Sequence, residues 1–269
     1  MSNLSVRYGG LDMGGRCWFV AREFENPARK RIIWAESIPL HQVGVRVPQL
    51  CDMLGVSCTF IDQMPETKES RTLALRLNGL DAVKQWPRVP DTGQCHVSFG
   101  NGLAFVRDDN GDAKWNGLKC AVVRFDKKRP GQGIELKPDY FIGSDGLEIC
   151  VPMVVCNRME TVDSVVREFL TPSEGEMENH IDLGLRVVPA IALPTSHLDI
   201  FREFDEHHIS GSERERDTSG QLGDYVDGIS NHLLFANAYA RLAEVIGARS
   251  KPAQFNFGRA SRQSRGSGL

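Results

Sequence analysis

The chain has 269 residues, of which 41% are hydrophobic and 25% charged, with a formal net charge of -3 at pH 7. That is enough apolar material for one large domain, or one domain with a sizeable insertion, and it excludes a globally basic nucleic-acid-binding surface, though not a basic groove. Seven cysteines without a CxxC pair exclude a disulfide framework or zinc ribbon and fit reduced core thiols, and the absence of a long apolar run excludes a signal peptide or membrane span, so a cytosolic setting with no membrane partner is expected.

Residues 4–87 read as a compact α/β unit. "LSVRYGGLDM", "RCWFVAREFE" and "KRIIWAESIPL" are three strands with short links, the pattern of an antiparallel meander. A short helix follows over Val47–Leu54, with Pro48 near its first turn. "VSCTFIDQM" is an almost continuous apolar strand, as expected at a sheet centre covered on both faces. "PETKESRTLALRLNG" places Leu73, Leu77 and Leu80 at helical spacing and stops at Asn78-Gly79, and "LDAVKQW" reads as a further strand. Residues 88–160 are β-rich, an insertion or sheet extension built from "CHVSFG", "LAFVRD", "KCAVVRF", "GIELKP", "YFIG" and "LEICVPMVV". "ETVDSVVREFL" is then an amphipathic helix, Arg202 to Asp224 a polar loop, and "DYVDGISNHLLFANAYARLAEVIG" a long helix with Leu233, Leu234, Ala238, Leu242 and Val245 on its apolar face. The expected organisation is one domain over residues 1–249, carrying the β-rich segment, and a flexible basic tail over 250–269.

Two acids stand at strand ends. Asp12 closes the first strand and is followed by Met13-Gly14-Gly15; Asp62 closes "TFID". If these strands are neighbours in one sheet, both carboxylates emerge at the same rim, within reach of a shared hard cation such as Mg²⁺ or Mn²⁺. Gly14 and Gly15 would then allow backbone, metal or phosphate to approach closely. Taken singly, Asp12 also fits a turn former and Asp62 a cap for the following helix. "RFDKKRPGQG" offers Arg124, Lys127, Lys128 and Arg129 on an expected hairpin tip; they read as a phosphate-binding patch or as a solvated turn.

The order of elements is similar to that of the RNase H-like fold, an α/β mixed sheet flanked by helices. Within it the chain resembles the C-terminal nuclease domain of tailed-phage terminase large subunits. "GGLDMGG" resembles the family's first-strand "GxDxG". "FIDQMPETKESRTLALRLNG" resembles its "hhDxxPxxxxAxxLAxxFxG", "NHLLFANAYARLA" its closing "DHxxxAxxYAxxA" helix, and "VVCNRMETVDSVVREF" its "hhxNRxxxhDxxhxxh" segment. Residues 88–150 have no counterpart. The resemblance implies a metal-dependent endonuclease that cuts concatemeric viral DNA with two Mg²⁺ or Mn²⁺ ions held by Asp12, Asp62 and a third group. Where the family has Asp at the start of the last helix, this chain has Asn231, so Asp227 or Asp224, one or two helical turns upstream, takes the third position, or the site lacks that charge. His232 beside it could face the site, though a lone His beside a helix start reads more readily as a cap or surface residue. The implied partners are double-stranded DNA, the terminase ATPase domain, the small terminase subunit and the portal, in the host bacterial cytoplasm. No GxxxxGK[ST] motif occurs, so the chain is expected to be the nuclease without the ATPase half.

Two other readings stand beside it. "LDMGG" also resembles the first phosphate loop of actin-like-superfamily sugar kinases, although Arg16-Cys17-Trp18 replaces the small hydroxyl residue expected there. Asn231 favours a non-catalytic RNase H-like module that binds DNA or a portal-like partner.

Overall fold

The computed structural model describes residues 5–26, 29–80, 97–98, 103–107, 113–126, 133–142, 146, 148–170, 203–204, 206–208, 211–216, 222–225 and 231–249. Seven strands form one mixed sheet: β1 (Val6–Asp12), β2 (Arg16–Asn26), β3 (Arg29–Pro39), β4 (Val56–Asp62), β8 (Cys120–Phe125), β9 (Glu135–Ile142) and β10 (Glu148–Cys156). Their order across the sheet is β3-β2-β1-β4-β8-β10-β9. The first three are the expected antiparallel meander, while β1, β4, β8 and β10 run parallel to one another and β9 returns antiparallel along the edge. Strands β5 (Val97–Ser98), β6 (Ala104–Arg107) and β7 (Ala113–Asn116) form a separate three-stranded sheet. The β-rich segment therefore divides: its first part stands apart and its second extends the main sheet. "GIELKP" and "YFIG" are one strand, β9, rather than two.

Helices cover both faces. On one face lie α1 (Leu40–Leu54) and α2 (Thr67–Leu77); on the other lie α3 (Arg158–Leu170) and α4 (His232–Arg249). The alternation along β4 distributes its side chains accordingly. Cys58 and Phe60 pack with Leu234, Ala238 and Tyr239 of α4, whereas Ile61 packs with Val47 and Leu50 of α1 and Leu73 of α2. Strand β1 does the same with Tyr8 and Leu11. Asp12 and Asp62 are in phase with Tyr8, Cys58 and Phe60, and so belong to the α3/α4 face.

Helix α1 begins earlier than the expected Val47, and Pro48 lies inside it rather than near its first turn. Proline lacks the amide that would bond the carbonyl four residues back, at Gly44. That carbonyl accepts instead from Arg76 Nη1 of α2 at 2.6 Å, so the break in the ladder is filled from a neighbouring helix. The α2 stop at Asn78-Gly79 holds: Gly79 has φ of 69°, and buried Asn78 donates to the Cys120 carbonyl at 2.8 Å and accepts from its amide at 3.0 Å. The strand expected over "LDAVKQW" lies, beyond Leu80, outside the described residues.

The stretch expected to be a polar loop from Arg202 contains helical residues at 203–204 and 206–208 and a two-stranded sheet of β11 (Arg214–Arg216) and β12 (Leu222–Tyr225). Phe204, His207 and His208 in it are buried. The cysteines at 17, 51, 58, 120, 150 and 156 are free and buried, as expected, while Cys95 is outside the described residues. Burial pushes the Cys51 and Cys156 thiols up to about 11, which keeps them protonated and inert. Among the described residues no helix is long and apolar enough to cross a membrane.

Candidate functional site at the carboxyl ends of the parallel strands

Strands β1 and β4 pair in parallel with Leu11 opposite Ile61, so the next residue on each, Asp12 and Asp62, stands at the same end of the sheet. The carboxyl ends of parallel strands open into a crevice in sheets of this kind. Here the crevice is a pocket of about 380 Å³, and Asp12, Asp62 and Asn231 all line it. Asp12 and Asp62 thus share one rim, as expected if their strands are neighbours.

Helix α4 crosses this rim because β1 has no side chain in its way. A Cβ on Gly10 would lie 1.9 Å from the Ala236 carbonyl oxygen and 2.3 Å from the Ala240 nitrogen, both backbone atoms of α4. Only glycine permits that approach. Gly14 and Gly15, by contrast, meet little: the nearest atom to a Cβ on Gly14 is 3.4 Å away, and on Gly15 there is none within 4 Å. Of the approaches expected there, that of backbone falls to Gly10 instead.

The first turns of α4 carry Asn231, Phe235 and Tyr239 at successive four-residue steps, which places them on one stripe; all three line the pocket. The helix starts at His232 and not at Asp224 as expected. The Asn231 carbonyl accepts the Phe235 amide at 3.1 Å, and His207 Nδ1 accepts the Leu233 amide at 3.2 Å, which satisfies a helix-start donor from outside the helix. Asp224 lies in strand β12, so its expected place two helical turns above Asn231 is not realised. Asp227 is outside the described residues, as are Lys127, Lys128, Arg129 and the tail after residue 249. Arg124 is described and lines the pocket. It does not sit on a hairpin, because β10 is inserted between β8 and β9 in the sheet.

His232 belongs to the site and is not a bystander on the surface. Its Nδ1 donates to Asp12 Oδ2 at 2.8 Å. Trp18, directly opposite Asp12 on β2, stands parallel to the imidazole with centroids 6.0 Å apart, and His207 meets Trp18 edge-on at 4.9 Å. The bond to Asp12 raises the His232 pKa. Asp12 is 6% exposed; burial raises its pKa, while the His232 bond and the Arg158 charge pull the other way. Asp62 accepts from the Met64 amide at 3.1 Å and from the Tyr239 hydroxyl. It caps the turn at Met64 and not α2, whose N-cap is Glu66. Desolvation and the nearby Asp12 charge push its carboxyl up to about 7.

Buried Asp12 and half-buried Asp62, whose charge Asp12 disfavours, form a hard-oxygen donor pair that a divalent cation would relieve, with the Asn231 amide as a neutral third oxygen. The residues present thus fit such an ion. No group of three or more His, Cys, Asp or Glu side chains arranged for a metal occurs among the described residues. Arg158, at the start of α3, also lines the pocket, with its guanidinium carbon 4.9 Å from the Phe235 ring centroid. Sequence reasoning gave no role to Arg158, Tyr239 or Trp18. The available signal for Arg158 was its place just after the apolar strand "VPMVVC", at the same end of the sheet as the two acids.

No protein-family model matches the chain, and no curated protein matches its sequence.

Proposed function

We propose that this protein is a metal-dependent endonuclease of RNase H-like architecture, of the type found in the large subunit of viral DNA-packaging terminases. One observation carries the reading: Asp12 and Asp62 end adjacent parallel strands and share one pocket with Asn231 at the head of the covering helix. The strand order supports it, with a three-strand meander followed by parallel β4 and β8.

Asp12, Asp62 and Asn231 would hold Mg²⁺ or Mn²⁺. Such ions, when bound, supply the positive charge that offsets charge build-up during in-line phosphodiester hydrolysis. The protein's own groups prepare the pocket. His232 fixes one oxygen of Asp12, Tyr239 and the Met64 amide fix Asp62, and Met13 and Phe125 add apolar wall beside them. Arg124 offers a cation to a backbone phosphate, a contact that needs no base sequence. In this reading the substrate is concatemeric double-stranded DNA, cut in the cytoplasm of a bacterial host, with the packaging ATPase, small subunit and portal as partners.

The test is cleavage of supercoiled plasmid in Mn²⁺, Mg²⁺ or EDTA by the parent chain, Asn231→Asp and Asp12→Asn. Mn²⁺-dependent nicking that is stronger in Asn231→Asp and absent in Asp12→Asn is the expected result. If no version cuts in any metal, the endonuclease reading falls. A second reading rests on Asn231 itself: with an amide where a third charge would stand, the pocket would bind DNA without cutting it. Retained duplex binding by a parent chain with no measurable Mn²⁺ affinity would favour that reading.

A further inference from the structure

Asp12 and Asp62 are held in the pocket by hydrogen bonds, but Asn231 is held differently. Among the described residues no hydrogen bond fixes its side-chain amide, although the residue is only 9% exposed. Its carbonyl accepts the Phe235 amide at 3.1 Å, which ties the backbone into α4 and leaves the side chain to packing. What packs against it is Gly211. A Cβ on Gly211 would lie 2.6 Å from Asn231 Cβ, 3.2 Å from Asn231 Cα and 3.0 Å from Leu234 Cδ2. Carbons in contact stand about 3.5 to 4.0 Å apart, so even a methyl group there must displace Gly211 or Asn231 by about 1 Å. The nearest atom is the root of the Asn231 side chain, not a flexible tip that could swing aside. Nothing else explains a glycine at this place. Gly211 has no positive φ that would demand one, and it stands in helical backbone, where glycine is a poor choice. His207, four positions earlier and also helical, accepts the Leu233 amide at 3.2 Å. Phe204 packs with Leu233 and Ala236. The head of α4 is thus gripped at 231, 233, 234 and 236 by a stretch that contributes no side chain to the pocket lining.

We infer that Gly211 is a positioning residue of the metal site, with His207 as its companion: its bare backbone seats Asn231 where the amide can join Asp12 and Asp62 around one cation. This deepens the endonuclease reading and rests on its metal site. Functional groups have to be held to within about 0.5 Å, which is less than the displacement a methyl group at 211 imposes. Groups that orient a ligand without touching the metal typically change metal affinity by about tenfold or more.

The experiment is a double-mutant cycle read by Mn²⁺ calorimetry and by urea unfolding. It compares the parent chain, Gly211→Ala, Asn231→Ala and the pair, with Gly44→Ala as control, since a Cβ on Gly44 meets nothing within 4 Å. Gly211→Ala and Asn231→Ala should each weaken Mn²⁺ binding about tenfold, the pair no more than either alone, and Gly44→Ala not at all. Stability separates positioning from packing. Asn231→Ala keeps the Cβ that a methyl group at 211 would strike, so the stability lost to Gly211→Ala should persist in the Asn231→Ala background while its effect on Mn²⁺ vanishes. A Mn²⁺ effect that persists there overturns the inference, because the substitution then disturbs the carboxylates themselves. Parent-like Mn²⁺ affinity in Gly211→Ala or in Asn231→Ala also overturns it and leaves the endonuclease reading to stand on plasmid cleavage. A parent chain that binds no Mn²⁺ overturns both. If Gly211→Ala unfolds before it can be titrated, His207→Ala takes its place in the cycle. It should weaken Mn²⁺ binding severalfold only while the Asn231 amide is present, and His207→Gln, which returns an acceptor to the Leu233 amide, should restore it; failure of either overturns the inference.

Discussion

Asp12 and Asp62 are costly residues where they stand. Loss of solvent raises the pKa of each, and the Asp12 charge raises that of Asp62 further. Asn231 in the same pocket avoids a third such charge. Replacing it with Asp should therefore have opposite effects in two states. Without metal, Asn231→Asp should lower the melting temperature by a few degrees, about 1 kcal/mol of added repulsion. With Mn²⁺ it should bind about tenfold more tightly than the parent and regain more than was lost. Differential scanning fluorimetry with and without Mn²⁺ reads both, and a variant that melts as the parent does in both conditions would show that residue 231 does not face the carboxylates. The two acids were legible in the sequence because a carboxylate closing an apolar strand is conspicuous. His232 was legible only as one of two readings, because nothing local distinguishes an imidazole on a helix surface from one whose partner lies 220 positions earlier.

At the scale of elements, two contacts decide whether the site exists. The first is the seat of α4 on β1. A methyl group at Gly10 would have to occupy the space of the Ala236 carbonyl and the Ala240 amide, so Gly10→Ala should cost about 3 kcal/mol in urea unfolding. It should also separate Asn231 and His232 from Asp12, and Mn²⁺ binding should fall with stability. The second is the Arg76 bond to the Gly44 carbonyl that Pro48 leaves unmatched. Arg76→Ala should cost about 1 kcal/mol and leave Mn²⁺ binding unchanged, since α1 and α2 pack on the face away from the pocket. The early meander, β4 and α2 were readable from alternation and punctuation because each is specified by residues close in sequence. The start of α1 was not, since a proline normally marks a boundary and the compensating arginine comes from another helix. The start of α4 was missed for a similar reason: apolar spacing continues upstream through Tyr225, and only the capping contacts from Asn231 and His207 fix the true first turn.

Across the whole molecule, a buried ionic network joins β2 to both helices of the α3/α4 layer. Arg22, fully buried, bonds Glu168 of α3 at 2.6 Å, pairs with Glu244 of α4 at 3.0 Å and donates to Asn237 at 3.0 Å. Lys30 and Arg241 also pair with Glu168. Arg22→Met should cost about 3 kcal/mol in chemical denaturation, because Glu168 and Glu244 each lose a buried cation while Lys30 and Arg241 keep them partly compensated. Asn237 Nδ2 passes the network on to His208 Nε2 at 3.1 Å, while His208 Nδ1 donates to the Phe204 carbonyl at 2.7 Å. Both imidazole nitrogens are thus committed to the neutral form, and burial depresses the His208 pKa to about 3. The unfolded chain takes up that proton near pH 6.5 and the folded chain does not. Stability from this group is therefore complete above pH 6.5 and drains away as the pH falls toward 3, by up to about 2 kcal/mol at pH 5. Urea unfolding at pH 7.5 and pH 5 should show that loss, and His208→Gln should lessen it; an equal loss in His208→Gln would place the effect elsewhere. The span between Asp12 and His232 has a last consequence, for the timing of synthesis. Ribosomes add about 5 to 20 residues each second, so the 220 positions between the two partners correspond to roughly ten to forty seconds of translation. Throughout that interval the first strand exists without the helix that completes its pocket. Until that helix docks, Asp12 stands without the imidazole that orients it, and the pocket lacks one of its walls.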